Sequence, residues 1–275
     1  MTKLRDMFGW TRHSYYLFSG FLLTCLLIIY VWWPLMDEYL GYIRLYQKAG
    51  YPWYSLVDWL LLGIFAFMSL TIMLRADLKV DGMIVFVGLF GGLVIESWGT
   101  QTNLWHYYTA ERPPLWIIPA WPIASLSIDR ITRALHHSTV KLSDAFFRAA
   151  YWLTFLGFYA LMLWFVAPTL DKSYTIVSLV ICALMILTTP DKRMAFLVFV
   201  AGSALGYFLE RWGTTRECWM YYTNETPPVF AVFAHGMAAV AFWRTGLLVK
   251  IAAAPFLNKF LLEKNVPHDS FHRPA

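Results

Sequence analysis

Two carboxylates, Glu96 and Glu210, each close an apolar stretch and open the same run of residues. From Glu96 to Pro114 the chain reads ESWGTQTNLWHYYTAERPP, and 114 residues further on, from Glu210 to Pro228, it reads ERWGTTRECWMYYTNETPP. Eleven of the nineteen positions are identical, which marks an internal duplication. A carboxyl group in an apolar, aromatic setting is a candidate proton donor. His235, seven residues past Pro228, comes down from the same side by helical rise, and its counterpart in the first half is Trp121. Glu96, Glu210 and His235 are therefore the candidate catalytic residues, with Glu210 and His235 favoured if one half alone is active.

The aromatic residues recur in type and position: Trp98/Trp212, Trp105/Trp219, Tyr107/Tyr221 and Tyr108/Tyr222. Together with Trp121 they are candidate substrate contacts, since aromatic faces stabilise a carbocation or hold a flat conjugated chain. Two plainer readings stand beside this one. The glutamates can accept bonds from the tyrosine hydroxyls and indole N–H groups of their own motif and so tie an outer loop to a helix. The rings can belong to the aromatic belt of a membrane interface. Glu111 and Glu225, just before the Pro-Pro pairs, read as caps at positive helix ends. Gly99 and Gly213 read as helix stops.

No metal or cofactor is expected. Cys25, Cys182 and Cys218 lack ligand spacing, His136 and His137 fall in a loop, and phosphate-loop, serine-hydrolase and zinc-protease motifs are absent. A divalent ion held by Glu96, Glu210 and His235 remains an alternative, without a spacing that tests it.

These residues need a membrane scaffold. The 275 residues are 59% hydrophobic and 14% charged, against roughly 25% charged in soluble domains. Apolar stretches near 15–36, 54–74, 82–98, 114–129, 148–168, 174–189, 194–211 and 228–249 predict eight spans. The expected fold is all-α: two parallel four-helix repeats, 15–130 and 148–250, with a pseudo-two-fold axis along the membrane normal and a cytoplasmic tail over 251–275. With the N-terminus inside, 16 of the 22 Lys and Arg fall on cytoplasmic segments. The expected location is a cell inner membrane, both termini cytoplasmic and the motif loops on the other side. The net charge of +5 is a topology signal, so nucleic acid is not an expected partner.

Details of the chain complete the expectation. The first apolar stretch is too long for a cleaved signal peptide. Residues 37–53 lie along the outer interface, and Asp58 snorkels from span 2. Gly88/Gly92 and Gly202/Gly206 are small-xxx-small pairs for close helix packing. Spans 4 and 8 begin at the Pro-Pro pairs, and Pro119 and Pro122 kink span 4.

The run Glu96, Gly99, Thr102, Trp105, Tyr107, Tyr108 resembles the signature of the membrane carotenoid-biosynthesis proteins, which include the carotenoid hydratases and the small integral-membrane lycopene cyclases. The likeness covers one motif per half. The second copy has Arg216 in place of Thr102, and the Pro-Phe-Gly run of the hydratases is absent. What the resemblance implies is acid-initiated chemistry on a polyene. The expected function is thus an enzyme acting on an isoprenoid or other lipid by carboxylate acid/base chemistry. The alternatives are a pigment- or lipid-binding subunit of a larger membrane complex, and a transporter.

Overall fold

In the computed structural model the backbone is described for residues 8–264 and the side chains for residues 8–253. Most of the expected tail, 251–275, thus lies outside the described side chains. The chain is mostly helical. Its elements are α1 (Arg12–Val31), α2 (Trp33–Lys48), α3 (Trp59–Ile72), α4 (Leu78–Gln101), β1 (Trp105–Tyr107), α5 (Ala120–Ser138), α6 (Asp144–Val166), α7 (Ser173–Leu187), α8 (Lys192–Thr215), β2 (Trp219–Tyr221) and α9 (Val229–Lys264). Among the described residues, five helices are long and apolar enough to cross a membrane: α1, α4, α6, α8 and α9. Helices α3 and α7 are apolar but shorter.

Helix starts follow side-chain chemistry. Asp58, Asp77, Ser143 and Asp191 each accept a backbone N–H in the first turn of α3, α4, α6 and α8, satisfying one donor that the helix itself cannot. Asp77 and Asp191 stand at the same place in the two halves, before helices of 24 residues each. The turns that follow these helices match as well. Asn103 and Ala110 in the first half, and Glu217 and Asn224 in the second, take left-handed backbone angles.

Helices α4, α5, α8 and α9 form the centre. α4 packs on α5 and α8 on α9 within each half, while α5 packs on α8 and α4 on α9 across the halves. Glycines permit these approaches: a Cβ on Gly88 would lie 2.9 Å from the Pro122 backbone, and one on Gly202 would lie 2.9 Å from Gly236 and the His235 carbonyl. α6 packs on α8, and α1 lies over α3, with Phe21 buried against Ile72, Met73 and Leu126. Outside the helices, β1 and β2 pair antiparallel, Trp105 with Tyr221, His106 with Met220 and Tyr107 with Trp219.

Several expectations are corrected here. The first apolar stretch does not run to residue 36: α1 stops at Val31 and α2 starts at Trp33, with Pro34 in the opening turn, where a missing N–H costs nothing. The segment 37–53 belongs mainly to α2, a helix that buries no residue and packs on α1, a form compatible with the interfacial position expected for it. Span 4 begins at Ala120 rather than at the Pro-Pro pair and reaches Ser138. Pro119 is its N-cap and Pro122 lies in its first turn, so neither prolines' position requires a kink. Glu111 is consequently well short of the helix and accepts instead from the Thr109 hydroxyl at 3.3 Å. Gly99 and Gly213 lie inside α4 and α8 rather than stopping them.

Candidate functional site

Glu96 sits in the last two turns of α4 and Glu210 at the same place in α8, both buried. The polypeptide then turns and comes back as a short strand. This return places the indole of Trp105 over Gly99, where an added Cβ would lie 1.9 Å from the ring; Trp219 over Gly213 repeats the contact at 2.1 Å. That close approach, not a left-handed backbone, is what requires glycine at these two positions.

Each glutamate gathers three polar partners from its own half. Glu96 Oε2 accepts from Trp105 Nε1 at 3.1 Å and the Tyr107 hydroxyl at 2.8 Å, while Oε1 accepts from Trp121 Nε1 at 3.1 Å. Glu210 Oε2 accepts from Trp219 Nε1 at 2.9 Å, and Oε1 meets the Tyr221 hydroxyl and His235 Nε2, both at 2.9 Å. Burial, and next the adjacent carboxylates, push the Tyr107 and Tyr221 phenols well above the ordinary tyrosine value, so both remain donors.

The two clusters abut. Trp121 and His235 stack with centroids 5.4 Å apart, seated on Gly92 and Gly206 respectively. Trp105 packs on Tyr221 and Tyr107 on Trp219, each at 5.8 Å, so every strand aromatic of one half meets its non-equivalent partner from the other. Among the expected site residues, the structure therefore assembles Glu96, Glu210, His235, Trp105, Tyr107, Trp121, Trp219 and Tyr221.

The remaining four make no hydrogen bond to either glutamate, though the rings of Trp98 and Trp212 pack edge-on against Trp105 and Trp219 at 5.8 and 6.0 Å. Trp98 Nε1 donates to Thr175 Oγ1 at 3.3 Å, and Trp212 Nε1 to Asp58 Oδ2 at 2.9 Å, so each indole reaches an element of the opposite half. Tyr222 donates to the Phe165 carbonyl at 2.7 Å, and Tyr108 is exposed with its ring near Trp116. Among the described residues, no group of three His, Cys, Asp or Glu is placed to share a metal ion.

No family model, curated protein or solved structure matches the chain.

Three polar residues that sequence reading did not single out complete the arrangement. Arg216, noted only as the replacement for Thr102, holds Asp58 at 2.9 and 3.3 Å, so Asp58 is paired rather than snorkelling. Arg130 is buried, with Nη2 2.7 Å from Asp81 Oδ2 and Nε donating to the Leu74 carbonyl at 2.9 Å. Arg244 bonds Thr189 Oγ1 at 2.9 Å and Thr188 Oγ1 at 3.2 Å. The last two arginines are themselves 114 residues apart. That spacing is present in the sequence, where Arg130 follows expected span 4 and Arg244 lies near the end of expected span 8.

Proposed function

We propose that the chain is an integral membrane protein of eight crossing helices, in two four-helix units about a pseudo-two-fold axis along the membrane normal, that binds an isoprenoid or other lipid between the units. α1, α3, α4 and α5 make one unit and α6 to α9 the other, with α2 as an insertion. Matched helix bounds in α4 and α8 and the ladder centred on His106 and Met220 support the axis. Arg75, Lys79, Arg133 and Arg193 lie at helix ends away from the ladder, which favours a non-cytoplasmic ladder.

In this reading the glutamate clusters are clamps. The observation that carries it is their closure: each carboxyl group already meets three polar partners, and the rings cover one another. Open space lies instead at the opposite end of the same axis, in an apolar cleft between α4, α5, α8 and α9. The second reading, acid/base conversion of the lipid of hydratase or cyclase type, is favoured by one contact: Glu210 and His235, at 2.9 Å, are a pair able to pass a proton, whereas Glu96 meets only indoles and a phenol.

Glu96→Gln and Glu210→Gln separate the two. A glutamine turns one acceptor oxygen into a donor facing other donors, at a cost of about 1–3 kcal/mol. As clamps, both variants melt at lower temperature in detergent, yet carry the same lipids by mass spectrometry as the parent chain. Normal melting of Glu210→Gln with accumulation of a lipid precursor would instead establish the enzyme.

A further inference from the structure

The cleft, of about 220 Å³, lies on the proposed axis at the helix ends opposite the ladder. Most of its lining consists of positions related by the 114-residue repeat, and four of these pairs differ in chemistry. The first half supplies Ser125, Asp129, Thr132 and Arg133; the same positions of the second half supply Ala239, Trp243, Gly246 and Leu247. At these four positions the first half is polar and the second apolar, while Val80, Met83, Ile84, Val87 and Ile128 keep the rest of the first half's lining apolar.

Two observations point to an occupant. Thr132 is buried to 3% exposure, lines the cleft and has no partner for its hydroxyl, a costly state for a group that always has a bond to make. Charge is also unbalanced at the mouth. Asp129 lies between Arg130 at 2.6 Å and Arg133 at 2.8 Å, and Arg130 also holds Asp81. Those four groups cancel, while Lys250 on the same lining has no ion-pair partner among the described residues. The volume decides how much enters: it falls below the roughly 300 Å³ at which drug-sized pockets begin, so it suits part of one hydrocarbon chain.

We propose that this cleft takes one chain of a phosphate-headed, anionic lipid, with Trp243 and Leu247 against the chain, Thr132 donating to a head-group oxygen, and Lys250 with Arg133 meeting the phosphate. The proposal rests on the lipid-binding reading above and assigns its site and class. No bond is made or broken.

The test uses the full chain purified in mild detergent, with phosphatidylglycerol and phosphatidylcholine as probes and native mass spectrometry as readout. The parent chain retains phosphatidylglycerol about fivefold better than phosphatidylcholine, the ratio expected from one basic side chain near an anionic head group. Lys250→Gln removes that preference, and Thr132→Val weakens retention of both lipids. Gly246→Phe fills the cleft from a position where an added Cβ meets nothing within 4 Å, and loses bound lipid while melting as the parent does. Retention of lipid by Gly246→Phe at the parent level overturns the site while leaving the lipid-binding reading intact. Equal retention of the two lipids by the parent overturns the anionic head group. A parent chain that sheds every lipid overturns the lipid-binding reading itself. Should Gly246→Phe fail to fold, Lys250→Gln and Thr132→Val decide.

Discussion

At the scale of single residues, glycine does more here than its sequence setting suggests. Gly99 and Gly213 precede polar turns and so look like helix stops, but the indoles of Trp105 and Trp219 lie on them. Only the fold brings those rings back onto the helix, so a local pattern could not show it. Gly99→Ala and Gly213→Ala should each destabilise the protein by about 1–3 kcal/mol, because a ring held by a bond to a buried carboxylate has little room to move. Gly63→Ala, with nothing within 4 Å of the added carbon, is the control and should gain about 0.5–1 kcal/mol from helix propensity. Melting in detergent reads both. Cys218, within the second motif, makes a separate prediction. Burial first, and then the Asp58 carboxylate, push its thiol up to about 11. Because the thiolate is the nucleophile, alkylation of Cys218 should be negligible at pH 7.5 and climb with pH toward 11. Rapid labelling at neutral pH, followed by peptide mass spectrometry, would contradict the burial.

At the scale of elements, the apolar helices were legible because about 20 apolar residues leave few alternatives. The motif glutamates were legible as well, since type and spacing recur. Three things were not. The break at Trp32 has apolar residues on both sides, so composition carries no mark of it. The three-residue strands β1 and β2 are too short for any alternation and exist through their pairing. Finally, the part of α5 past the expected end of span 4 at residue 129 carries Arg130 and Arg133 and reads as a loop, yet Arg130 turns inward to Asp81 and the Leu74 carbonyl after α3. Arg244 makes the equivalent contacts after α7 with Ala195 where the first half has Asp81. The arginine is therefore common to both halves, whereas the aspartate is present in the first half only. Arg130→Met should cost about 3–5 kcal/mol, because it strands a buried carboxylate. Asp81→Ala should cost less, about 1.5–3 kcal/mol, since Arg130 keeps Asp129 and its carbonyls. The order of the two melting temperatures is the measurement, and equal losses would make the aspartate as essential as the arginine.

At the scale of the molecule, the two halves are held at one end by contacts that all cross between them: the β1–β2 ladder, the paired rings, Trp98 on Thr175, and Trp212 with Arg216 on Asp58. At the other end the cleft opens between α4, α5, α8 and α9, while Arg193 still donates to the Thr139 carbonyl across the halves at 2.6 Å. The ladder end can be tested directly. His106 and Met220 are direct partners in the ladder. Antiparallel partners have Cα atoms about 4.5–5.5 Å apart, within the 4.4–6.8 Å that a disulfide spans. In a chain whose Cys25, Cys182 and Cys218 are replaced by alanine, His106→Cys with Met220→Cys should therefore form a disulfide without movement of the backbone. A protease site inserted between Thr139 and Ser143, in the turn joining α5 to α6, makes the bond visible. After cleavage the halves should migrate together on a non-reducing gel and apart on a reducing one. The same bond reports sidedness, because a ladder outside the cytoplasm oxidises in living cells, whereas one facing a reducing cytoplasm needs added oxidant after membranes are isolated. Bond formation only after that treatment would reverse the orientation while keeping the fold, and failure under both conditions would refute the pairing of the two motifs.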